Sequence, residues 1–120
     1  MWDVDYTDEF GEWWHSLDEE VQEAIAHDVG VLEQIGPGLG RPQVDTLAGS
    51  RFPNMKELRT QVRRHSIRIA FAFDPRRRAI LLIGGDKSGD RRFYERIVPI
   101  ADRLYREHLD EISREDETHG

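Results

Sequence analysis

Two arginines on neighbouring apolar segments are the side chains best suited to chemistry in this sequence. The segment MKELRTQV carries Arg59, and the segment SIRIAFAF carries Arg68. If a two-residue turn at Arg64 and His65 joins two strands, Arg59 and Arg68 occupy one sheet face as diagonal neighbours. Each planar guanidinium can bind two phosphate oxygens at once, so the pair is suited to a phosphodiester. Exposed strand arginines without a function are the alternative interpretation.

Small side chains accompany Arg68 on its face of the predicted strand. Because Ala70 and Ala72 leave room above the sheet, we expect an open hollow beside the arginines. Lys87 follows the apolar run AILLIGG, at the end of a third strand, from which it could reach the rim of this hollow. A solvated turn lysine is the alternative. The surrounding GGDKSGD lacks the glycine spacing and the following helix of a nucleotide P-loop.

The periodicity of apolar residues predicts the elements around these side chains. Trp2, Val4 and Tyr6 alternate with acidic residues, as in a half-buried strand. A first helix begins after Thr7, and a second begins at the capping box of Ser16 and Glu19. A Gly- and Pro-rich connection over residues 36–54 contains a short extended piece at 44–47. The runs 55–62, 66–73 and 79–85 predict an antiparallel meander.

The last apolar stripe, from about residue 91 to 112, predicts a helix with a break near Val98, before Pro99. Together the elements predict an α+β fold, in which a small antiparallel sheet packs against two N-terminal helices and a C-terminal helix. Residues 1–112 are predicted to form a single domain. Residues 113–120 are polar and are predicted to be a disordered tail.

Charge is distributed unevenly along the chain. The formal net charge of the protein is −7, yet residues 51–96 carry +8, between segments of −11 (1–50) and −4 (97–120). A basic patch of this kind can bind a polyanion, because binding depends on local neutralisation of phosphates. The absence of cysteine excludes disulfides and thiolate zinc sites, and the five histidines show no metal-ligand spacing. We therefore expect no cofactor or metal, no membrane segment and a cytoplasmic location.

Three stretches of the sequence resemble a known family. These are GRPQVDTLAGSRFPNMKELR, RIAFAFDPRRRAILLIGGDKSGD and FYERIVPIADRLYREHL. They are similar to the phage-derived, HigB-like branch of the RelE/ParE superfamily of type II toxin–antitoxin proteins. The resemblance implies the same α+β fold and a toxin that cleaves mRNA, commonly on the ribosome. It also implies a helix-turn-helix antitoxin as partner, with operator DNA bound only through that antitoxin.

Matched onto this sequence, the resemblance implies that Arg59, Arg68 and Lys87 are catalytic. Cleavage of RNA without a metal requires cations on the phosphorane and a group that takes the proton of the attacking 2′-hydroxyl. The candidates for proton transfer are Glu57, Tyr105 and His108. Further arginines are predicted to bind RNA along the basic segment: Arg63, Arg64, Arg91 and Arg92.

Two other functions remain open on sequence grounds. The first is a non-enzymatic, ParE-like poison of a topoisomerase, since a shared fold does not fix function. The second is a degenerate toxin that mainly binds its antitoxin and modulates repression of the operon. The acidic ends of the chain favour this role over direct binding of DNA.

Overall fold

The computed structural model describes residues 1–119 and contains the predicted order of strands and helices. A single turn of 3₁₀ helix at Gly36–Gly38 follows the second helix. The remaining elements, in chain order, are β1 (Val4–Tyr6), α1 (Asp8–His15), α2 (Glu19–Ile35), β2 (Val44–Thr46), β3 (Lys56–Val62), β4 (His65–Phe73), β5 (Ala79–Asp86) and α3 (Phe93–His119).

The five strands form one sheet in the order β1-β5-β4-β3-β2. The pairs β2–β3, β3–β4 and β4–β5 are antiparallel, as the meander predicts. β1 runs parallel to β5. The sheet is therefore mixed, and the expectation of a purely antiparallel sheet is corrected at this edge. Most of the chain separates β1 from β5, so their pairing does not depend on a hairpin that would force opposite directions.

The N-terminal helices are capped at one predicted position and one unpredicted position. The hydroxyl of Thr7 accepts a hydrogen bond from the Phe10 amide and begins α1, as predicted. The predicted capping box of Ser16 with Glu19 is wrong. Asp18 caps α2 by accepting from the Val21 amide at 3.0 Å, whereas Ser16 ends α1. Asp18 is closer to the start of α2 than Ser16, so its carboxylate, and not the Ser16 hydroxyl, accepts the hydrogen bond of the free amide in the first turn.

Each face of the sheet has its own apolar core. On one face, α1 and α2 bury Phe10, Ile25 and Leu32 against inward side chains of β3 and β4 such as Leu58 and Ile69. On the opposite face, α3 buries an apolar stripe against Ala70, Ala72, Ile80 and Leu82. α3 covers this face unevenly: Glu57 is buried, Arg59 is partly exposed, and Gln61 near the β3–β4 turn is exposed.

The C-terminal helix is longer and more regular than predicted. The predicted break near Val98 is absent, because α3 continues through Pro99. Pro99 is exposed, so the carbonyl whose hydrogen bond it removes can bind water instead. The helix also continues through residues 113–119, which were predicted to be a tail. Gly120, the last residue of that prediction, lies outside the described residues, and the domain boundary itself stays a prediction.

Candidate functional site

The β3–β4 hairpin places two of the predicted catalytic arginines side by side. Arg59 lies directly opposite Arg68 in the register, and the turn is formed by Arg63 and Arg64. The predicted turn at Arg64 and His65 is therefore wrong by one residue. Arg63 adopts a positive φ of 52°, a conformation expected of Gly, Asn or Asp, so its residue type gives no signal of the turn. The observed register therefore places Arg59 opposite Arg68, two residues from the Ala70 partner that the predicted turn implies. A shift by two residues keeps both arginines on the same face of the sheet.

The predicted open hollow above the alanines is filled. Ala70 and Ala72 are 3% and 0% exposed and belong to the core beneath α3, with Ile97 and Ala101. The small side chains on this strand let α3 approach the sheet closely. From the alternation pattern alone, such close packing cannot be distinguished from an open pocket. The accessible part of the face is consequently displaced toward β3 and the start of α3.

The buried carboxylate of Glu57 lies close to both arginines. Glu57 is 4% exposed. Arg59 donates to Glu57 Oε2 from Nη2 at 3.1 Å and from Nε at 3.3 Å. Tyr94, in the first turn of α3, donates its hydroxyl to Glu57 Oε1 at 2.7 Å. Arg68 Nε lies 3.8 Å from the same Oε1. We call Glu57, Arg59, Arg68, Tyr94 and Lys87 the Glu57 cluster.

The Arg68 side chain is held incompletely. Nη1 donates to its neighbouring backbone carbonyl at Ile67, at 3.0 Å. Nε is buried and has no hydrogen-bond partner among the described residues. An unsatisfied buried donor costs about 1–3 kcal/mol, so this guanidinium retains capacity for an additional acceptor. A phosphate oxygen that displaced the side chain slightly would provide one.

Tyr94 is a member of the cluster that sequence reasoning missed. Burial raises the pKa of its hydroxyl, and the hydrogen bond to the Glu57 carboxylate raises it further, while Arg68 opposes the shift. Tyr94 therefore keeps its proton at neutral pH and acts as a hydrogen-bond donor to Glu57. The available signal was its position in the first turn of the helix that follows GGDKSGD.

The first two glycines of GGDKSGD, Gly84 and Gly85, serve packing. A Cβ at Gly84 would collide with the ring of Trp13, and one at Gly85 would come within 2.8 Å of Phe93. Aromatic rings thus clamp both sides of β5 immediately before Lys87. Lys87 Nζ lies 5.8 Å from the centre of the Tyr94 ring, within range of a cation–π interaction, so the lysine does join the cluster.

The loop that carries Lys87 is fixed by its neighbour, Asp86. The Asp86 carboxylate lies 2.6 Å from His65 Nδ1 and accepts from the amides of Ser66 at 3.1 Å and Ser88 at 2.9 Å. Burial disfavours ionisation, but these hydrogen bonds outweigh it and lower the pKa of Asp86 to about 2. The contacts join the β3–β4 hairpin to the β5–α3 loop and therefore position Lys87.

A second carboxylate borders the cluster on the edge strand β2. Asp45 Oδ2 lies 3.2 Å from Arg59 Nη2 and 3.1 Å from Arg41 Nε. The Thr46 amide and the two arginines lower the pKa of Asp45, despite some opposition from burial. Arg59 is consequently paired with two carboxylates, and the Glu57 cluster carries less positive charge than its arginines alone would give.

Two predicted proton-transfer residues lie elsewhere. Tyr105 and His108 are further along α3, roughly 16 and 21 Å beyond Tyr94 at 1.5 Å per residue. Tyr105 is 3% exposed and accepts from Asn54, and His108 Nε2 contacts the buried Asp74 carboxylate at 2.8 Å. Their grouping with the arginines is corrected, because they lie on α3 away from the end that meets Glu57.

The four predicted RNA-binding arginines lie at the same end of the sheet as the cluster. Arg63 and Arg64 form the hairpin turn, and Arg91 and Arg92 lie exposed in the loop before α3. Ser88 Oγ donates to the Arg64 carbonyl at 2.7 Å, which holds the two segments together. Arg63 also forms an exposed ion pair with Glu20. The RNA-binding role of the four arginines stays a prediction.

Neither a membrane-spanning helix nor a potential metal cluster is present within residues 1–119. No helix in that range is long and apolar enough to span a bilayer. The same range contains no group of three His, Asp or Glu side chains arranged to hold a metal ion.

Comparison with known proteins identifies the family. Residues 12–106 match the family described as phage derived protein Gp49-like. The chain is 49% identical over 92 residues to "Putative toxin HigB3" of Mycobacterium tuberculosis, an alignment that covers 76% of this chain and 79% of that protein. It is 46% identical over 99 residues to "Putative toxin HigB2" of the same organism, covering 81% of this chain. The chain spans about half the length of that second relative, at 49%.

Solved structures share the fold. The isolated RelE toxin of E. coli aligns with a TM-score of 0.59 at 14% identity, covering 83% of this chain and 99% of that chain. The toxin–antitoxin complex RelBE of E. coli aligns with a TM-score of 0.54 at 13% identity, covering 71% and 95%. At these identities the likeness concerns the fold alone. The chain belongs to the phage-derived Gp49-like family and is a HigB-like toxin homologue with the RelE fold.

Proposed function

We propose that this protein is the toxin of a type II toxin–antitoxin system and that it acts as a metal-independent mRNA endoribonuclease. The observation that carries the proposal is the Glu57 cluster. Three cations, a buried carboxylate and a phenol with a raised pKa converge at an accessible end of the sheet. These groups match the needs of phosphodiester cleavage by a neighbouring hydroxyl.

In the proposed reaction, the 2′-oxygen of the RNA attacks the adjacent phosphorus and the bond from phosphorus to the 5′-oxygen breaks. The products are a 2′,3′-cyclic phosphate and a 5′-hydroxyl. Glu57 takes the proton of the attacking hydroxyl, because it is the proton-transfer candidate that lies between both arginines. Arg59 and Arg68 stabilise the phosphorane oxygens. Lys87 orients the phosphate and donates a proton to the leaving oxygen.

Substrate binding must compete with existing ion pairs in this mechanism. Glu57 and Asp45 already neutralise part of the charge of Arg59. A phosphate that binds both arginines would release Glu57 from them and leave its carboxylate free to accept a proton. Without substrate, the Glu57 carboxylate and the arginines are therefore paired with each other, and RNA must break these ion pairs to bind.

The proposal extends to partners and location. A helix-turn-helix antitoxin neutralises the toxin, and operator DNA is contacted only through it. The substrate is mRNA, bound on the translating ribosome in the cytoplasm. The similarity to toxin homologues and the cluster of exposed arginines around the site support this view.

Primer extension on total RNA after brief induction tests the proposal. The variant R59A/R68A/K87A is the control, because it removes the three cations and retains the apolar core. We expect discrete new 5′ ends within coding regions for the natural protein and none for the variant. Intact RNA in both samples, with both proteins soluble and folded, would refute the nuclease.

A second candidate is an antitoxin-binding modulator of operon repression without nuclease activity. The net charge of −7 and the neutralised state of Arg59 favour it. The same induction distinguishes the two functions. A modulator would alter transcription from its own operator in the presence of antitoxin and would leave growth and RNA intact.

A further inference from the structure

A separate group of arginines lines a cavity between α3 and the connection from β2 to β3. The cavity has a volume of about 480 Å³. Arg51 and Phe52 line it from the connection, and Asp102, Arg103 and Arg106 line it from the helix. We call these five residues the arginine groove. They lie apart from the Glu57 cluster, and the proposed mechanism does not use them.

The arginine groove is positively charged although its carboxylate is close by. Asp102 accepts from Ser50 Oγ at 2.5 Å and from the Arg51 amide at 2.9 Å. Its oxygens therefore tether the connection to α3. Arg103 pairs with Glu107 at 3.0 Å, but both side chains are more than half exposed, and solvent weakens such a pair. The groove holds three guanidiniums, two from a segment of α3 that is otherwise acidic and one, Arg51, from the connection.

One of these guanidiniums is pre-arranged on an aromatic ring. The carbon of the Arg106 guanidinium lies 5.2 Å from the centre of the Phe52 ring. Tyr105 holds Phe52 in place by an edge contact at 4.9 Å. The contact restricts the orientation of the guanidinium. Planar guanidiniums and aromatic rings are the surfaces on which unpaired bases of single-stranded RNA stack.

A slanted row of side chains on α3 connects the Glu57 cluster with the arginine groove. Tyr94, Val98, Asp102 and Arg106 are spaced at i, i+4, so they form one ridge that turns about 40° around the helix at each step. Tyr94 contacts Glu57 at one end, and Asp102 contacts Ser50 further along. A rise of 1.5 Å per residue places Arg103 and Arg106 roughly 14 and 18 Å from Tyr94 along the helix axis. This separation exceeds a single nucleotide.

We propose that the arginine groove binds single-stranded RNA several nucleotides away from the cleaved phosphate. The inference rests on the proposed ribonuclease function and adds a second contact that selects for substrate length. An acidic peptide could satisfy the charges, but the stacked Arg106 and Phe52 favour a ligand with both phosphates and planar bases. A strand that occupies both sites would follow this ridge of α3.

Binding of non-cleavable RNA tests the inference. The probes are fluorescent 2′-O-methyl oligoribonucleotides of three and nine residues, and fluorescence anisotropy of the full chain measures Kd. The variant R103Q/R106Q removes two groove charges. The variant R76Q/R114Q removes the same charge at exposed positions outside the groove. Equal circular dichroism spectra and melting temperatures establish that both variants are folded.

We expect R103Q/R106Q to weaken binding of the longer probe about tenfold and to reduce its salt-dependence slope by about 1.4, for two phosphates at 0.7 each. Binding of the trinucleotide should change less than twofold, and the control variant should resemble the natural protein. Equal effects on both probes, or none, would overturn the inference. Loss of binding to polyglutamate with RNA binding unchanged would instead assign the groove to a protein partner.

A cleavage assay on unmodified RNA separates this inference from the proposed function. If the natural protein cleaves RNA and R103Q/R106Q retains full affinity for the long probe, the groove proposal fails and the nuclease stands. If the natural protein neither cleaves RNA nor binds the long probe, the nuclease proposal fails together with the groove.

Discussion

Two buried carboxylates on the α3 face of the sheet have contrasting surroundings. Glu57 is 4% exposed and Asp74 is 6% exposed. Mobile side chains hold Glu57: the guanidinium of Arg59 and the phenol of Tyr94. Backbone amides of Arg76 and Arg78 hold Asp74, at 2.9 and 3.1 Å, together with His108. One carboxylate is held by groups that a ligand can displace, and the other by groups that belong to a turn.

This difference distinguishes the proposed reactive site from a structural one. Asp74 closes the β4–β5 turn and fixes it to α3, because its partners cannot leave without unfolding the turn. The partners of Glu57 can rotate toward a phosphate and return. Burial alone therefore does not distinguish the two carboxylates, and the proposal that Glu57 is catalytic rests on the nature of its hydrogen-bond donors.

The largest expected effect comes from changing Glu57 to glutamine. The E57Q side chain keeps the shape and an acceptor for Tyr94 but cannot take a proton. We expect kcat for RNA cleavage to fall at least about 100-fold. KM should fall severalfold, because the released arginines bind phosphate more strongly. Single-turnover and steady-state kinetics on a defined oligoribonucleotide measure both values.

The matched change at the second carboxylate is D74N, which should leave kcat within about twofold of the natural protein. H108Q should do the same, since His108 lies far from the cluster. If E57Q cleaves RNA as fast as the natural protein, Glu57 only neutralises the arginines and another group is the base. If H108Q abolishes cleavage, the distinction between the two carboxylates fails.

For the free energy of unfolding, we expect the opposite ranking: replacing Asp74 should have a larger effect than replacing Glu57. D74A leaves two backbone amides without their acceptor and removes the partner of His108. We expect it to lower the free energy of unfolding by about 3 kcal/mol. E57A should cost about 1–2 kcal/mol, because Arg59 can regain water and Asp45 still pairs with it. Urea unfolding followed by circular dichroism compares the variants, and a greater loss for E57A would contradict the interpretation.

The sequence predicted what depends on periodicity and missed what depends on three-dimensional placement. The alternation of SIRIAFAF correctly assigned Arg68 to the face of Arg59, because face parity survives a register shift of two residues. The sequence also offered Tyr105 and His108 as candidates for proton transfer, but nothing in it shows which end of α3 meets the arginines. Tyr94 lies on the same helix, at that end, and was the useful member.

The sequence pattern also did not predict which carboxylates pair with the arginines. Nothing in the spacing of KELR shows that Glu57 is buried, or that Asp45, 14 residues before Arg59 on strand β2, reaches its guanidinium. Those contacts require the β2–β3 pairing, which the long Gly- and Pro-rich connection concealed. The same connection supplies Arg51 and Phe52 to the arginine groove, so its function became visible only with its packing on α3.

Removal of a single hydroxyl tests the mobility of the partners of Glu57. Y94F retains the ring near Lys87 but loses the hydrogen bond to Glu57 at 2.7 Å. We expect kcat to fall about tenfold and the free energy of unfolding to fall by about 1 kcal/mol. Stopped-flow cleavage and urea unfolding measure these effects. A variant with full activity would show that Tyr94 supports the fold of the cluster without positioning Glu57.

A third carboxylate, Asp86, has surroundings intermediate between those of Glu57 and Asp74. Its replacement is expected to have the smallest effect on stability. Asp86 is held by amides and by His65, and its side chain is 34% exposed. Its pKa of about 2 is below the ordinary value of 3.8, so ionised Asp86 stabilises the fold above about pH 4. This contribution is lost as the pH falls through 2. Solvent screening limits it to about 1 kcal/mol.

The variant D86N isolates that contribution. Between pH 5 and pH 2 the natural protein should lose about 1 kcal/mol more of its free energy of unfolding than D86N does. Chemical denaturation at several pH values measures the difference. Parallel pH profiles would mean that Asp86 has the same pKa in the folded and unfolded chain. In that case the loop beside Lys87 is held by the aromatic clamp on β5 rather than by this carboxylate.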